Sequence, residues 1–286
     1  MACGPELRRT RFAPSPSGFL HLGHAYAALV AASRASPGEF LLRIEDIDSA
    51  RCRPEFETAI REDLAWLGLD WQRPVMRQSD RRGAHEAALN RLISLGLCYP
   101  CGCSRGDIRA ALSAPQEGAP LTGPDGVIYP GTCRGRAMAG ARDTEAIRLD
   151  MGKALRLLAG ERLAFLETGP GHAGRHDLDE ERLLTRVGDV ILSRPGIGAS
   201  YHLAVVVDDA AQAITEVTRG EDLFEATQIH VVLQKLLQLP TPNYHHHRLI
   251  RDDAGKRLAK RDDARALRRY RAAGETPADI RRRIGL

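Results

Sequence analysis

The first hundred residues alternate short apolar runs with helical patterns, and this alternation allows few folds. Residues 10–13 form an extended run, and residues 14–18 exclude helix because their prolines lack amide donors and restrict φ. The alanine-rich stretch 21–34 predicts a helix that ends before Pro37 and Gly38. The apolar run 40–44 then predicts a buried strand of a parallel sheet. This order is typical of a doubly wound α/β domain.

Apolar periodicity and end signals predict five more helices and one more strand. The helices are expected at 54–68, from a Ser79 cap to Gly96, at 225–239, at 262–273 and at 277–284 with a Thr276 cap. The apolar run 201–207 predicts the strand. Regularity lapses between Cys101 and Gly135, where the segment 113–132 is rich in proline and glycine.

Length and hydropathy place the chain among globular proteins. Its 286 residues can bury a core, and 43% hydrophobic with 27% charged residues is an ordinary balance. The longest apolar run, 203–207, is too short to span a membrane, and the N-terminus has no apolar signal region. We therefore expect a cytoplasmic, monomeric protein that does not bind membranes.

Charge is concentrated at the C-terminus. The net charge is +4, but residues 248–286 hold thirteen Lys/Arg and six Asp/Glu. A basic tail suits an anionic partner such as phosphate or RNA. Charge alone fits a solvated helical face equally well.

Two separated motifs could bind a nucleotide. His21-Leu-Gly-His24 stands where a helix begins, and a helix N-terminus is a natural site for a triphosphate. Gly23 would let a flat base approach the backbone, while both imidazoles could donate to phosphate oxygens. About 230 residues later the glycine-hinged loop 255–261 carries four cations. Either motif alone could be a pair of core histidines or a basic surface loop, but their order and separation favour a shared site.

Several sequence blocks resemble the glutamyl-type class I aminoacyl-tRNA synthetases. RFAPSPSGFLHLGH is similar to their HIGH region, and RLAKR at 257–261 is similar to their KMSKS loop. RIEDID at 43–48, YHLAVVVDD at 201–209 and TRGEDL at 218–223 complete the match in family order. The resemblance implies a Rossmann-type catalytic domain that uses ATP with Mg²⁺ to form an aminoacyl-adenylate and release pyrophosphate.

The same resemblance assigns roles to individual positions. Glutamate would be bound by the residues Arg11, Phe12, Ala13, Pro14, Ser15, Glu45, Tyr201 and Arg219. Arg11 would pair with a carboxylate, Glu45 would hold the α-amino group, and Tyr201 with Arg219 would close around the amino acid. ATP would be bound by the residues His21, Gly23, His24 and Lys260, of which both histidines and the lysine would be catalytic.

An acidic substrate fits this assignment physically. Two arginines facing one pocket need a carboxylate to offset their desolvation. Glutamine would forgo a charge-assisted bond of about 1.5–3 kcal/mol. A different interpretation of Glu45 is a salt bridge with Arg43 or Arg11. The loop also departs from the family, since Ala259 replaces its serine and Arg257 its first lysine, which could alter loop closure.

Four of the six cysteines lie between Cys98 and Cys133, which in a cytosolic chain favours metal over disulfides. Cys101, Cys103 and Cys133 offer three ligands for zinc, and the fourth ligand could be Cys98, Tyr129 or His172. Some family members have C-x-C followed by Y-x3-C, and this resemblance selects Tyr129. We expect one structural Zn²⁺, against the simpler possibility of free buried thiols.

Only twenty-five residues follow Arg261, too few for a helical anticodon-binding domain. A short chain with this cysteine pattern resembles the enzymes that place glutamate on the queuosine base in the anticodon of tRNA(Asp). The resemblance implies L-glutamate, ATP and the tRNA(Asp) anticodon loop as partners. Phosphate contacts are expected from the arginines of the tail, namely Arg265, Arg268, Arg269 and Arg271.

Other functions remain possible from the sequence. The first is a truncated glutamyl-tRNA synthetase that charges the 3′ end of tRNA(Glu). The others are a small adenylyltransferase and an inactive RNA-binding module.

The expected architecture is an interrupted Rossmann domain. Its first half would span 1–98, an inserted zinc-binding and connective subdomain 99–190, and its second half 191–240. The KMSKS-like loop and a short basic helical tail would occupy 241–286.

Overall fold

The computed structural model describes residues 7–112, 122–251 and 266–286, and all that follows concerns these residues. The helices are α1 (Leu22–Arg34), α2 (Pro54–Trp66), α3 (Arg82–Ser94), α4 (Arg105–Leu112), α5 (Met151–Leu157), α6 (Glu180–Arg182), α7 (Tyr201–Ala211), α8 (Thr227–Leu237), α9 (Leu267–Ala272) and α10 (Pro277–Arg283). The strands are β1 (Arg8–Phe12), β2 (Gly38–Ile44), β3 (Gln72–Arg77), β4 (Cys98–Cys101), β5 (Thr122–Gly123), β6 (Gly126–Val127), β7 (Ala146–Leu149), β8 (Ala164–Glu167), β9 (Gly174–Asp177), β10 (Ile191–Arg194), β11 (Gly198–Ala199), β12 (Glu216–Gly220) and β13 (Asn243–His247).

Two groups of parallel strands meet at the centre of the molecule. One sheet has the order β1-β2-β3, and the other has the order β12-β13-β8-β9 with β8 and β9 antiparallel. They adjoin between β1 and β12, where the amide of Thr215 donates to the Arg9 carbonyl at 3.0 Å. The chain therefore has the α/β architecture with parallel strands that the alternation predicts. Ligands of such folds bind where the strand order reverses, at the carboxyl ends of the strands.

The middle of the chain forms a separate antiparallel sheet. Its order is β11-β10-β7-β4. A short hairpin, β5-β6, lies between β4 and β7 in the chain and reaches the pocket described below. Strands β8 and β9 lie within the range expected for the insert, yet they extend the β12-β13 sheet. The domain boundaries stay a prediction.

Two hydrophobic cores support the two groups of parallel strands. The first packs α1 and α2 on β2 and includes the fully buried side chains of Leu20, Leu42 and Ile60. Leu267 of α9 is buried in the same core, so the C-terminal helices are part of this unit. The second core packs α7 and α8 against β12 and the neighbouring strands, with Leu203 and Ile229 fully buried.

Two sequence predictions are wrong. Residues 201–207 form the first turns of α7 rather than a strand, with the Ser200 hydroxyl accepting from the Leu203 amide at the N-cap. A buried apolar run has the same pattern in a strand and in a helix, so its periodicity does not decide between them. Ser79 does not cap α3, because its amide and hydroxyl both donate to Asp46 at 2.8 Å and Arg81 holds the N-cap position. The Thr276 cap of α10 is confirmed.

None of the helices in residues 7–112, 122–251 and 266–286 has both the length and the apolar character needed to cross a membrane.

Candidate active site

A pocket of about 230 Å³ opens beyond the carboxyl ends of β1 and β2, beside the N-terminus of α7. Its walls include Ser15 and Ser17 from the loop after β1, and Glu45 from the loop after β2. Tyr201 and His202, the first residues of α7, line the opposite side. The two loops are tied together because the Glu45 amide donates to the Pro14 carbonyl at 3.0 Å. The pocket therefore collects residues from three separate sequence blocks.

A buried charge cluster adjoins this pocket through Glu45. Asp209 of α7 accepts from Arg11 Nε at 2.9 Å and from Arg11 Nη2 at 3.2 Å. It also accepts from Arg43 Nη1 at 2.6 Å, and Arg43 Nη2 donates to Glu45 at 3.2 Å. Burial would raise the pKa of Asp209, but Arg11 and Arg43 hold it at about 2. Two guanidiniums thus face two carboxylates, and their charges cancel within the protein.

The cluster leaves Arg11 and Glu45 in different environments. Arg11 is only 4% exposed and already has Asp209 as its carboxylate partner. Glu45 makes the ion pair with Arg43 that was the other interpretation of this residue. Its side chain is 15% exposed and lines the pocket, where burial raises its pKa. Glu45 can therefore meet a ligand, while the charge of Arg11 is already balanced.

Arg219 has a different environment. It lies on β12 with 6% exposure and donates to His246 Nε2 and to His230 Nδ1, each at 3.0 Å. Its Nη2 donates to the Thr227 hydroxyl at 2.8 Å and to the Leu223 carbonyl at 3.2 Å. Among the described residues, no carboxylate lies within ion-pair distance of this guanidinium. Arg219 is therefore a buried cation that no carboxylate balances among these residues, and it adjoins the pocket through His230 rather than lining it.

The remaining residues predicted to bind the amino acid lie around these groups. Tyr201 is 37% exposed and its ring centroid is 5.8 Å from that of His230, a partner of Arg219. Phe12 and Pro14 are buried, while Ala13 and Ser15 are partly exposed. Three of the eight predicted amino-acid residues, Ser15, Glu45 and Tyr201, line the pocket itself, and which of the eight contact a substrate stays a prediction.

The two histidines of the HLGH motif form the first turn of α1. His21 is the N-cap, and its Nδ1 accepts from the Gly23 amide at 3.1 Å. His24 Nδ1 accepts from the His21 amide at 3.2 Å, so the imidazoles replace the usual side chains of a capping box. Because both Nδ1 atoms accept, each neutral ring carries its proton on Nε2. The two ring centroids are 3.8 Å apart.

Gly23 has a steric role in this turn. A Cβ at this position would lie 3.0 Å from His21 Cε1, so a side chain would displace the capping ring. The KMSKS-like loop, including Arg257, Ala259 and Lys260, lies outside the described residues, as does Arg265. Ala266, which follows it, forms a bridge with His21, so the chain returns to the HLGH turn.

Three cysteines form a cluster at the end of β4. The sulfurs of Cys101, Cys103 and Cys133 all lie within 4.8 Å of one another. The Tyr129 hydroxyl lies 3.4 Å from Cys103 Sγ and accepts from the Cys133 amide at 2.8 Å. Three thiols so arranged are compatible with a structural zinc site, and the Tyr129 hydroxyl lies where a fourth donor would be needed.

The other candidate ligands lie elsewhere. Successive side chains of a strand point to opposite faces, so Cys98 and Cys101 of β4 face different sides. Cys98 is buried in the second core, and burial raises its pKa to about 12. His172 stacks on Phe224 with ring centroids 4.0 Å apart.

Sequence reasoning did not assign roles to Asp209, His202, His230 or His246. The aspartate belongs to a block that was noticed only for its resemblance, and the histidines are separated from Arg219 in sequence. Arg11 and Asp209, for example, are 198 residues apart. A signal for such pairs would require knowing which strands adjoin.

Comparison with known proteins places this geometry in a family. A model of the tRNA synthetases class I (E and Q), catalytic domain, matches residues 8–122 and 173–286. The chain is 61% identical over 282 residues to the glutamyl-Q tRNA(Asp) synthetase of Rhodobacter capsulatus, covering 97% of this chain and 99% of that one. It is 43% identical to the glutamyl-Q tRNA(Asp) synthetase of Nocardia farcinica, covering 94% of this chain and 81% of the relative.

Solved structures agree with the fold. The glutamate-tRNA synthetase of Elizabethkingia anophelis matches with a TM-score of 0.69 and 25% identity, over 91% of this chain and 54% of that chain. This chain thus spans about half the length of that structure. The methionyl-tRNA synthetase of Mycobacterium tuberculosis bound by methionyl-adenylate matches with a TM-score of 0.58. It covers 98% of this chain and 64% of that chain, and at 10% identity it supports the fold alone.

Proposed function

This chain belongs to the class I tRNA synthetases (E and Q), within the group of the glutamyl-Q tRNA(Asp) synthetases, and we propose that it activates L-glutamate with ATP. The activated glutamyl group is then transferred to the queuosine base in the anticodon of tRNA(Asp). It is a ligase of the aminoacyl-tRNA synthetase type.

One observation carries the choice of glutamate. Arg219 is a buried guanidinium without a carboxylate partner among the described residues, and it is linked to the pocket-lining His202 through His230, whereas Arg11 and Arg43 are paired with Asp209. The side-chain carboxylate of glutamate supplies the missing negative charge. Glutamine has none, and losing a charge-assisted hydrogen bond costs about 1.5–3 kcal/mol. Glu45, which lines the same pocket, is placed to accept from the α-amino group.

In the activation step, an α-carboxylate oxygen of glutamate attacks the α-phosphorus of ATP, and pyrophosphate leaves. His21 and His24 donate from Nε2 to phosphate oxygens as negative charge shifts toward the leaving group. Their capping bonds hold both rings before ATP binds. Lys260 contacts the same phosphates in this proposal, and Mg²⁺ bound with ATP supplies further neutralisation of their charge.

The queuosine of tRNA(Asp) as acceptor is supported by the names of the two relatives and by the basic tail. The tail arginines are not all available for RNA in the same way. Arg271 forms an ion pair with Glu62 at 3.3 Å, and Arg268 lies over the Phe19 ring at 3.5 Å from its centroid. Phe19 lies two residues before the HLGH motif, so Arg268 is near the place where an anticodon loop would meet the active site.

We also propose that the chain binds one structural Zn²⁺. Cys101, Cys103, Cys133 and Tyr129 would hold it, and the ion would order the segment between β4 and β7. Metal binding of this kind contributes on the order of 10 kcal/mol to folding.

Charging assays test the function. The full chain is incubated with labelled glutamate, ATP and one of three RNAs, namely queuosine-containing tRNA(Asp), tRNA(Asp) lacking queuosine, and tRNA(Glu). We expect label only on the first RNA. Label on tRNA(Glu) alone would establish instead the truncated glutamyl-tRNA synthetase, and glutamate-dependent ATP–pyrophosphate exchange without RNA measures activation separately.

A further inference from the structure

A chain of hydrogen bonds leads from Arg219 to a carboxylate at the rim of the pocket. Arg219 Nη1 lies 3.0 Å from His230 Nδ1, and His230 Nε2 lies 3.0 Å from His202 Nδ1. His202 Nε2 then lies 3.2 Å from Asp125 Oδ1. We call these four residues the relay.

The direction of every bond in the relay is fixed by Arg219, which can only donate. His230 therefore accepts at Nδ1 and carries its proton on Nε2, which donates to His202 Nδ1. His202 in turn carries its proton on Nε2 and donates to Asp125. Both imidazoles are neutral, because a second proton on His230 would place an N–H against the N–H of Arg219. In agreement with a neutral ring, burial and the neighbouring Arg219 lower the pKa of His230 well below its usual value.

A second arm ends on a buried carboxylate in the same manner. Arg219 Nε donates to His246 Nε2 at 3.0 Å, and His246 Nδ1 donates to Glu167 at 2.5 Å. Glu167 is 1% exposed and also accepts from the amides of His246 and Gly169. Arg219 is thus held between imidazole lone pairs, with each carboxylate at least one ring away.

This arrangement orients a cation without neutralising it. A carboxylate bound directly to Arg219 would neutralise its charge, as Asp209 does for Arg11. A neutral imidazole fixes the guanidinium and leaves its charge for the ligand.

The two arms differ in where they end. Glu167 belongs to β8 of the β12-β13-β8-β9 sheet. Asp125 lies instead in the turn of the β5-β6 hairpin, between Cys103 and Tyr129 in sequence. Its side chain is 26% exposed and lines the pocket. Only the Asp125 arm joins the amino-acid pocket to the segment that carries the cysteine cluster.

We propose that Asp125, acting through His202 and His230, is a positioning residue that orients Arg219 for the side-chain carboxylate of the amino acid. The inference rests on the proposed glutamate activation and deepens it. The hairpin of the inserted segment thereby contributes to amino-acid selection, although Asp125 itself does not touch the substrate carboxylate.

Steady-state ATP–pyrophosphate exchange with the full chain tests the positioning role. In Asp125→Ala, His202 loses its acceptor, so we expect KM for glutamate to rise about three- to tenfold, with kcat and KM for ATP unchanged within about twofold. Asp125→Asn keeps an acceptor oxygen and should lie close to the wild type. Asp143→Ala removes an exposed carboxylate of the same segment and serves as the matched control.

A double-mutant cycle with His202→Phe separates positioning from direct contact. If Asp125 acts through His202, adding Asp125→Ala to His202→Phe raises KM for glutamate no further. Additive effects, or a rise in KM for ATP in Asp125→Ala, would mean that Asp125 meets a substrate directly and would overturn the proposal. An unchanged KM for glutamate in Asp125→Ala would also overturn it.

The outcomes for the two proposals are distinct. A wild-type chain that shows no glutamate-dependent exchange contradicts the proposed function. A wild-type chain that exchanges with glutamate, together with an Asp125→Ala variant that equals it, contradicts only the relay.

Discussion

At the scale of single residues, Arg11 and Arg219 look equivalent in the sequence but occupy opposite electrostatic situations. Arg11 is bound to Asp209, whereas Arg219 has only neutral hydrogen-bond partners among the described residues. We expect Arg219→Gln to raise KM for glutamate about tenfold to a hundredfold, because it removes a charge-assisted bond. Its free energy of unfolding should fall less than when a buried ion pair is broken, because the lost hydrogen bonds have neutral acceptors and no carboxylate loses a partner.

The matched variant Arg11→Gln should behave in the opposite way. It leaves Asp209 with Arg43 alone, and breaking a buried ion pair costs about 3–5 kcal/mol, with the lower end expected because one partner remains. Urea unfolding and exchange kinetics of both variants provide the measurement. Equal loss of stability in the two variants would contradict the distinction drawn between them.

The sequence allowed part of this site to be predicted. Arg11, Glu45, Tyr201 and Arg219 are predicted because each lies in a recognisable block. Their partners were not found, because a hydrogen bond such as that between His202 and His230 depends on how α7 and α8 pack. Resemblance identifies positions, but the balance of charge among them is a property of the folded chain.

At the scale of elements, the predictions were most reliable where an end signal accompanied periodicity. Proline at the start of α2 and the Thr276 cap of α10 are both confirmed by the structure. The start of α7 was missed because its residues are nearly all buried, which removes the contrast between its faces. Ser200 was the available signal, since a serine before an apolar run can cap a helix.

The contact between α2 and α9 gives a prediction of pH dependence. Asp63 of α2 is fully buried and lies 3.6 Å from Arg271 of α9. Burial raises its pKa from 3.8 to about 6, so the folded chain keeps a proton that the unfolded chain releases at lower pH. Its contribution to stability is therefore fully present below about pH 4 and is lost as the pH rises through 6.

The variant Asp63→Asn has no carboxyl group that titrates, so comparing it with the wild type isolates the contribution of this group to stability. We expect the difference in free energy of unfolding between the variant and the wild type to increase in favour of the variant as the pH rises from about 4 to about 6. Above that range the difference should stay constant. Urea unfolding of both chains in steps between pH 4 and pH 7.5 measures the difference. A difference that stays constant over the whole range would show that the carboxyl is not perturbed.

At the scale of the whole molecule, the inserted segment and the parallel sheet depend on each other. The antiparallel sheet carries the cysteine cluster at one end, and the β5-β6 hairpin of the same segment reaches the pocket through Asp125. The cluster has only a small core of its own, around Tyr99, Cys101 and Tyr129. The part of the segment around the cysteines therefore has few apolar contacts of its own, and a bound metal would stabilise it.

Two cysteines of β4 make a matched pair for testing this dependence. Cys101 and Cys98 are both buried, but only Cys101 faces the cluster. Cys101→Ser should lose zinc, and its Tm should fall to that of the chelator-treated wild type. Cys98→Ser should keep one zinc per chain and lose only the stability of a buried thiol. Zinc content by atomic emission and Tm with and without chelator decide the matter, and equal zinc in both variants would contradict the site.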